Sequence, residues 1–220
     1  MKKEILFFDL DGTLTDSAPG IIRSAKYALS HFGIVLEEKT MLKFIGPPLL
    51  ESFGGLCGLN EEQSREAIRL YREYFAERGM FENSVYEGVP EMLERLRREG
   101  RTLAVATSKP EPYAKAILEH FGLAEYFSHI SGAALDHVRM TKADVLRKAV
   151  LQTGLTDLRA GLMIGDRRHD AEGANALGME TLGVLYGYGS REELLTAGAA
   201  ALAKTPSEVV KQVLAFSDRV

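Results

Sequence analysis

The chain has 220 residues, 45% hydrophobic and 26% charged, with a formal net charge of −4, a balance ordinary for a globular protein with one substantial core and a modest insert, and one that argues against disorder. Its lysines and arginines are spread along the chain, which leaves no electrostatic footprint for a nucleic acid polymer or an anionic membrane, so small partners are expected. The single cysteine, Cys57, excludes an intramolecular disulfide and a cysteine-rich metal cage; with no secretion signal before the first strand and no apolar run of about 18 residues, a cytoplasmic location is expected.

Short apolar runs of strand character occur at Glu4–Leu10, Arg101–Thr107, His129–Gly132, Gly161–Gly165 and Thr181–Tyr186, and helical patterns lie between them at Val89–Glu99, Glu111–Phe121, Lys142–Thr153 and Asp170–Leu177. Continuous apolar runs alternating with amphipathic helices predict a doubly wound, Rossmann-like parallel sheet covered on both faces, an α/β core. The stretch 16–86 breaks the alternation. It has no convincing strand, while Ile21, Ile22, Ala25, Leu29 and Phe32, and later Ala67, Leu70, Tyr74 and Phe75, recur at helical spacing. Some 70 residues are too many for a connection, so we read a helical cap domain over 16–86, inserted into a catalytic core of 1–15 and 87–220. The joints fall near Asp16–Gly20 and Ser84–Gly88, the latter in the segment "SVYEGVP".

In open parallel sheets, ligands bind at the carboxyl ends of the strands. Polar motifs stand at such positions: "DLDGT" from Asp9, "TSK" (Thr107–Lys109) and "GDRRHD" (Gly165–Asp170), with Lys142 at a helix start. Asp9, Asp11, Asp166 and Asp170 form an oxygen-rich, sulfur-free set suited to a hard cation such as Mg²⁺. Gly12 and Thr13 supply a turn whose N–H groups and hydroxyl can face a phosphate. A carboxylate beside Mg²⁺ can attack phosphorus, the role assigned to Asp9, and Asp11 can protonate the leaving oxygen and later accept a proton from water. Thr107 or Ser108 and the Lys142 ammonium would neutralise phosphoryl oxygens.

In this order, "DLDGTLTDS" (Asp9–Ser17), "TSK", a later lysine and "GDRRHD" resemble the four motifs of the haloacid dehalogenase superfamily, over nearly the whole chain. The resemblance implies Asp9 as nucleophile, Asp11 as general acid/base, Thr107 as phosphate ligand and Lys142 as charge stabiliser. It also implies Mg²⁺ held by the Asp9 side chain, the Asp11 backbone carbonyl and Asp166. Gly12, Thr13, Ser108, Lys109 and Asp170 complete the set on the substrate side, Asp170 also supporting the metal. Two departures stand out: Ser108 occupies a position where many relatives carry Asn, and "LDHVRMTK" lacks the Lys-Pro start common in related phosphatases, which leaves Arg139 an alternative to Lys142.

Within that superfamily a second aspartate, here Asp11, marks the phosphatases, and "IGPPLLESF" (Ile45–Phe53) resembles the cap loop of phosphoglycolate phosphatases and of phosphatases called 5′-nucleotidases. The expectation is a Mg²⁺-dependent phosphomonoesterase working through an aspartyl-phosphate on a small phosphorylated metabolite, phosphoglycolate-type first and nucleoside 5′-monophosphate second, as monomer or homodimer. A hexose-phosphate mutase and a non-catalytic phosphate-ligand-binding member are the alternatives. His169 reads as a neighbour of the ligands rather than a ligand, Cys57 as packing, and Arg23 and Lys43 as crevice or solvent residues. Tyr186 and Tyr188 in "LYGYGS" (Leu185–Ser190) read as packing or bordering the crevice.

Overall fold

The computed structural model describes residues 3–135 and 140–217; Arg139 lies outside them. In chain order, β1 (Ile5–Phe8) and β2 (Thr15–Asp16) precede α1 (Ala18–Ser30), α2 (Glu38–Met41), α3 (Leu49–Cys57), α4 (Glu61–Tyr74) and β3 (Ser84–Val85). Then come α5 (Val89–Arg98), β4 (Thr102–Pro110), α6 (Glu111–His120), β5 (His129–Ala133), α7 (Lys142–Thr153), β6 (Gly161–Gly165), α8 (Arg168–Asn175), β7 (Glu180–Val184), α9 (Arg191–Thr196), β8 (Ala201–Ala203) and α10 (Pro206–Ser217). The chain divides into two compact units, Met1–Thr15 with Val85–Val220, and Asp16–Ser84.

The first unit is built on a six-stranded sheet of order β5-β4-β1-β6-β7-β8, every pair parallel. Parallel strands are covered on both faces, which is why "ILFF" in β1 is apolar at consecutive positions instead of alternating. Leu6, Phe7 and Phe8 are all fully buried. Phe7 joins Val145, Leu146 and Ala149 of α7 in one core cluster, whereas Phe8 meets Phe127 edge-on at 6.0 Å between centroids. α7 packs with α8, and α5 with α10. This is the doubly wound α/β core that the alternation of runs predicts. The sheet has one strand more than the apolar runs indicate: β8 has only three residues, Ala-Leu-Ala, too short and too poor in β-branched residues to stand out.

The connection after β1 leads to β4 on one side of it, and the connection after β6 leads to β7 on the other. The carboxyl ends of β1 and β6 therefore mark a topological switch point, where the sheet opens a crevice. β4 carries a register shift between Thr107 and Pro110, an irregularity of the kind that re-aims side chains at a strand end.

The second unit is helical apart from its ends. α1 and α3 each pack on α4, whose start is fixed by a capping box between Asn60 and Gln63. An aromatic chain runs through its interior, Phe44 to Phe53 at 5.2 Å, Phe53 to Tyr71 at 6.4 Å and Tyr71 stacked on Phe75 at 5.6 Å. Arg23 pairs with Glu82, Lys43 is exposed, and burial raises the Cys57 thiol above its ordinary pKa, a thiol held protonated rather than an activated one. Among the described residues no helix is long and apolar enough to cross a membrane.

The packing ranks positions for stability. Phe7→Ala, at a fully buried site, is expected to cost about 3–5 kcal/mol, whereas Val35→Ala, at a position 94% exposed, should stay within about 0.5 kcal/mol of the parent. Urea unfolding of the two variants checks the contrast.

Candidate active site

β1 delivers Asp9 to the switch point. Its backbone N–H still donates to the Ile164 carbonyl of β6 at 2.9 Å, so the residue is fixed as an extension of the ladder, and its Oδ1 accepts from the Leu10 N–H at 2.8 Å. The chain then turns tightly, with the N–H groups of Thr13, Leu14 and Thr15 all donating to the Leu10 carbonyl. Gly12 takes φ +80° in this turn, and a Cβ there would run into the Asp166 carboxylate and come within 2.7 Å of the Tyr188 ring. Both the backbone conformation and the space require glycine.

Three carboxylates converge: one oxygen each from Asp9, Asp166 and Asp170 lie within 4.8 Å of one another. Asp166 follows β6 and is fully buried; Asp170, in the first turn of α8, is 1% exposed. Lys142, the first residue of α7, bridges two of them, with Nζ 2.9 Å from Asp9 Oδ1 and 2.6 Å from Asp170 Oδ1. Its helix is anchored by Thr141, whose hydroxyl accepts from the Asp144 N–H at 3.2 Å while Asp144 accepts back from the Thr141 N–H at 3.1 Å. Burial opposes the Lys142 charge, but Asp170 and Asp9 outweigh it and raise its pKa.

Asp166 has no salt-bridge partner among the described residues. Its oxygens accept only weak or neutral donors, the Thr13 hydroxyl at 3.3 Å and the Tyr188 N–H at 2.8 Å. Burial first, then the charges of Asp170 and Asp9, push its carboxyl well above the ordinary range, against the Tyr188 N–H and the Arg167 charge. Asp170 is raised from 3.8 to about 6, by burial and by Asp9, with Lys142 pulling the other way. Two buried carboxylates and the partly exposed Asp9 against one ammonium leave an uncompensated negative charge that a cation bound by oxygen ligands would neutralise, and the donor set suits Mg²⁺.

Asp11 stands apart from that trio. Its Oδ2 pairs with Lys109 Nζ at 2.9 Å, while its Oδ1 is buried with no hydrogen-bond partner among the described residues. Thr107 is buried and its hydroxyl accepts from the Lys109 N–H at 3.3 Å, which leaves the hydroxyl proton for another acceptor. Ser108, between two buried neighbours, is exposed. The strand end thus places Thr107 and Lys109 inward and Ser108 outward. His169 lies 3.8 Å from Glu172 rather than in the trio, and burial lowers its pKa. Glu193 of α9 steadies the turn after Asp166, accepting from Arg167 Nε at 2.8 Å and from the Arg168 N–H at 3.0 Å.

Sequence reasoning left one set of contacts undescribed, those of the segment after β7. The Tyr186 hydroxyl donates to the Thr13 carbonyl at 3.1 Å, and the Tyr188 backbone reaches Asp166. The available signal was the alternation Tyr-Gly-Tyr-Gly immediately beyond a strand end, a pattern of close backbone approach.

Residues 6–184 match the family model described as Haloacid dehalogenase-like hydrolase. The chain is 45% identical over 190 residues to a protein of Pseudomonas aeruginosa named 5′-nucleotidase, covering 86% of each. It is 45% identical over 187 residues to the Mycobacterium tuberculosis protein named tyrosine-protein kinase PtkA, covering 84% of this chain and 63% of that one. Among solved structures, a predicted phosphatase from Clostridium acetobutylicum superposes with a TM-score of 0.93 at 45% identity, over 98% of this chain and 100% of that one.

The raised acids set a pH dependence. An acid whose folded pKa lies above its unfolded value contributes stability while protonated, and that contribution is lost as pH rises through the folded value. For Asp170 the window runs from 3.8 to about 6. A divalent cation reverses the loss once the acids ionise, so the gain in Tm on replacing EDTA by MgCl₂ should be small at about pH 5 and grow toward about pH 7.5. A gain independent of pH contradicts this reading.

Proposed function

The chain belongs to the haloacid dehalogenase-like hydrolases and is a phosphatase of that family, and we propose that it is a Mg²⁺-dependent phosphomonoesterase that works through an aspartyl-phosphate at Asp9. The observation that carries the reading is the juxtaposition of Asp9 with Asp166 and Asp170 within 4.8 Å, with Lys142 2.9 Å from Asp9 and Asp11 two residues on. Asp9, Asp166 and Asp170 would hold the ion, with the Asp11 carbonyl as a further ligand. Bound there, Mg²⁺ supplies charge neutralisation for the phosphoryl oxygens and for the crowded carboxylates.

The chain's own groups perform the transfer. An oxygen of Asp9 forms a bond to phosphorus as the ester P–O bond breaks, and the leaving oxygen takes its proton from Asp11. Water then attacks the same phosphorus, giving its proton to Asp11; the bond to Asp9 breaks and inorganic phosphate leaves. Asp11 Oδ1, buried and without a hydrogen-bond partner among the described residues, is the atom suited to carry that proton, while Lys109 on Oδ2 orients the carboxyl. Lys142 stabilises the charge on Asp9 before attack and the phosphoryl oxygens during it, and the Thr107 hydroxyl donates to one of those oxygens. The Gly12 and Thr13 N–H groups, expected from the sequence to face a phosphate, are instead spent inside the turn, on the Thr15 carbonyl at 2.8 Å and the Leu10 carbonyl at 3.2 Å.

For the substrate, the 45% identity to a protein named 5′-nucleotidase moves nucleoside 5′-monophosphates ahead of phosphoglycolate-type esters. Both are small and both carry a single phosphoryl group.

Phosphate release from a panel of nucleoside 5′-monophosphates, 2-phosphoglycolate and hexose phosphates, with Mg²⁺ and with EDTA, tests the proposal. Turnover is expected with Mg²⁺, without any added acceptor, and is lost in EDTA; Asp9→Asn is expected to lower it at least about 10³-fold. Metal-independent turnover, or full activity in Asp9→Asn, contradicts it. Conversion of glucose 1-phosphate without phosphate release points to a mutase, and phosphate transfer that needs a tyrosine acceptor points to a kinase.

A further inference from the structure

Beyond β7 the chain makes one ladder bond, from the Leu185 N–H to the Ala203 carbonyl at 2.8 Å, and then leaves the sheet to cross the ends of β6 and β1. Along residues 186–189 the Tyr186 ring meets Tyr86 edge-on at 5.2 Å, and the polar groups and backbone turn toward the acidic centre. The Tyr186 hydroxyl donates to the Thr13 carbonyl at 3.1 Å and the Tyr188 N–H to Asp166 Oδ2 at 2.8 Å. A Cβ on Gly187 would run into the Gly12 carbonyl and stand 2.5 Å from Asp166 Cβ. One on Gly189 would run into the Asp166 carbonyl. Neither glycine has a positive φ, so the requirement at both is space.

We propose that residues 186–189 are a positioning clamp for the metal centre, whose backbone sets the Asp166 carboxylate and the Gly12–Thr13 turn against each other. The inference rests on the metal-dependent reading above and deepens it. The clamp acts through another group and does not touch the reacting atoms. Its logic is electrostatic as well as steric. Asp166 is fully buried, so which of its oxygens points at the ion is decided by the few donors it has, and the Tyr188 N–H holds Oδ2 in one orientation. The Thr13 hydroxyl at 3.3 Å holds Oδ1, and Tyr186 in turn holds the Thr13 backbone. Asp166, the Gly12–Thr13 turn and the clamp thus form one closed set of hydrogen bonds. Partners that orient a ligand in this way typically govern metal affinity by about 10–100-fold.

The test measures Mg²⁺ binding directly by calorimetry on the full chain, wild type against Gly187→Ala and Gly189→Ala, with Gly55→Ala, where an added Cβ meets nothing within 4 Å, as control. The expected result is a rise in Kd of at least about tenfold in the two clamp variants, accompanied by a lower Tm in EDTA because the added Cβ must displace backbone, with the control unchanged in both. The second measurement needs no variant. In the wild-type amide spectrum the Tyr188 N–H should shift during a Mg²⁺ titration, and with the same Kd as calorimetry gives. Wild-type binding with variant Kd values within about twofold of it, or a Tyr188 amide indifferent to saturating Mg²⁺, overturns the clamp and leaves the metal reading standing. Should the variants not fold, the amide titration alone decides. No Mg²⁺ binding by the wild type overturns both.

Discussion

The site depends on a charge imbalance held in a place with little water. Asp9, Asp166 and Asp170 are gathered at the ends of two parallel strands and a helix, and one ammonium, that of Lys142, sits between two of them. Like charges so close repel strongly in a low-dielectric setting. Burial raises two of the acids, Asp166 and Asp170. An arrangement that holds such groups together without full compensation is of the kind found at functional sites, where a bound ion completes the balance. The sheet supplies the rigidity. Asp9 and Asp166 leave adjacent strands, β1 and β6, whose ladder continues through the Asp9 N–H itself, so their separation is set by strand spacing and not by loop conformation.

The helices contribute in the same spirit. Lys142 is the first residue of α7, placed by the Thr141–Asp144 capping box, and its stem is buried, with the nearby Gly173 leaving room for it. A long flexible side chain is thereby held at one position by packing and by two carboxylates. Asp170, on the first turn of α8, receives the Arg167 N–H at 3.0 Å, so one carboxylate serves both as a helix-start cap and as the partner of Lys142. Asp11 is kept outside this cluster by Lys109. Two acids two residues apart are thus given different lysines as partners, the separation on which the proposed division between attack and proton transfer rests.

Much of this is legible in the sequence because the signals are short-range. An apolar run that stops at Asp9, a turn that needs Gly12, and a strand that ends in "GDRRHD" each announce a strand carboxyl end, and parallel-sheet topology requires such ends to lie on one side. The family resemblance supplies the roles that spacing cannot. What escapes is set by tertiary geometry. That Thr107 and Lys109 share one face and Ser108 takes the other follows from strand alternation, but which face is the buried one is set by what packs around the end of β4. In the segment Tyr186–Gly189, "YGYGS" read residue by residue suggests the aromatic packing that Tyr186 does make with Tyr86, but not the Tyr188 N–H on Asp166 or the two glycines making room for Asp166 and Gly12. β8 is too short to carry a pattern of its own.

The account's central claim is that Asp9 carries the phosphoryl group between two half-reactions. Rapid acid quench of the enzyme during turnover, followed by mass spectrometry of the peptide that contains Asp9, addresses it most directly. The account predicts a fraction of that peptide carrying one phosphoryl group at Asp9, disappearing when the substrate is exhausted and absent from Asp9→Asn. Phosphate found on another side chain, or steady turnover with no phosphoryl group on Asp9 at any quench time, would contradict it.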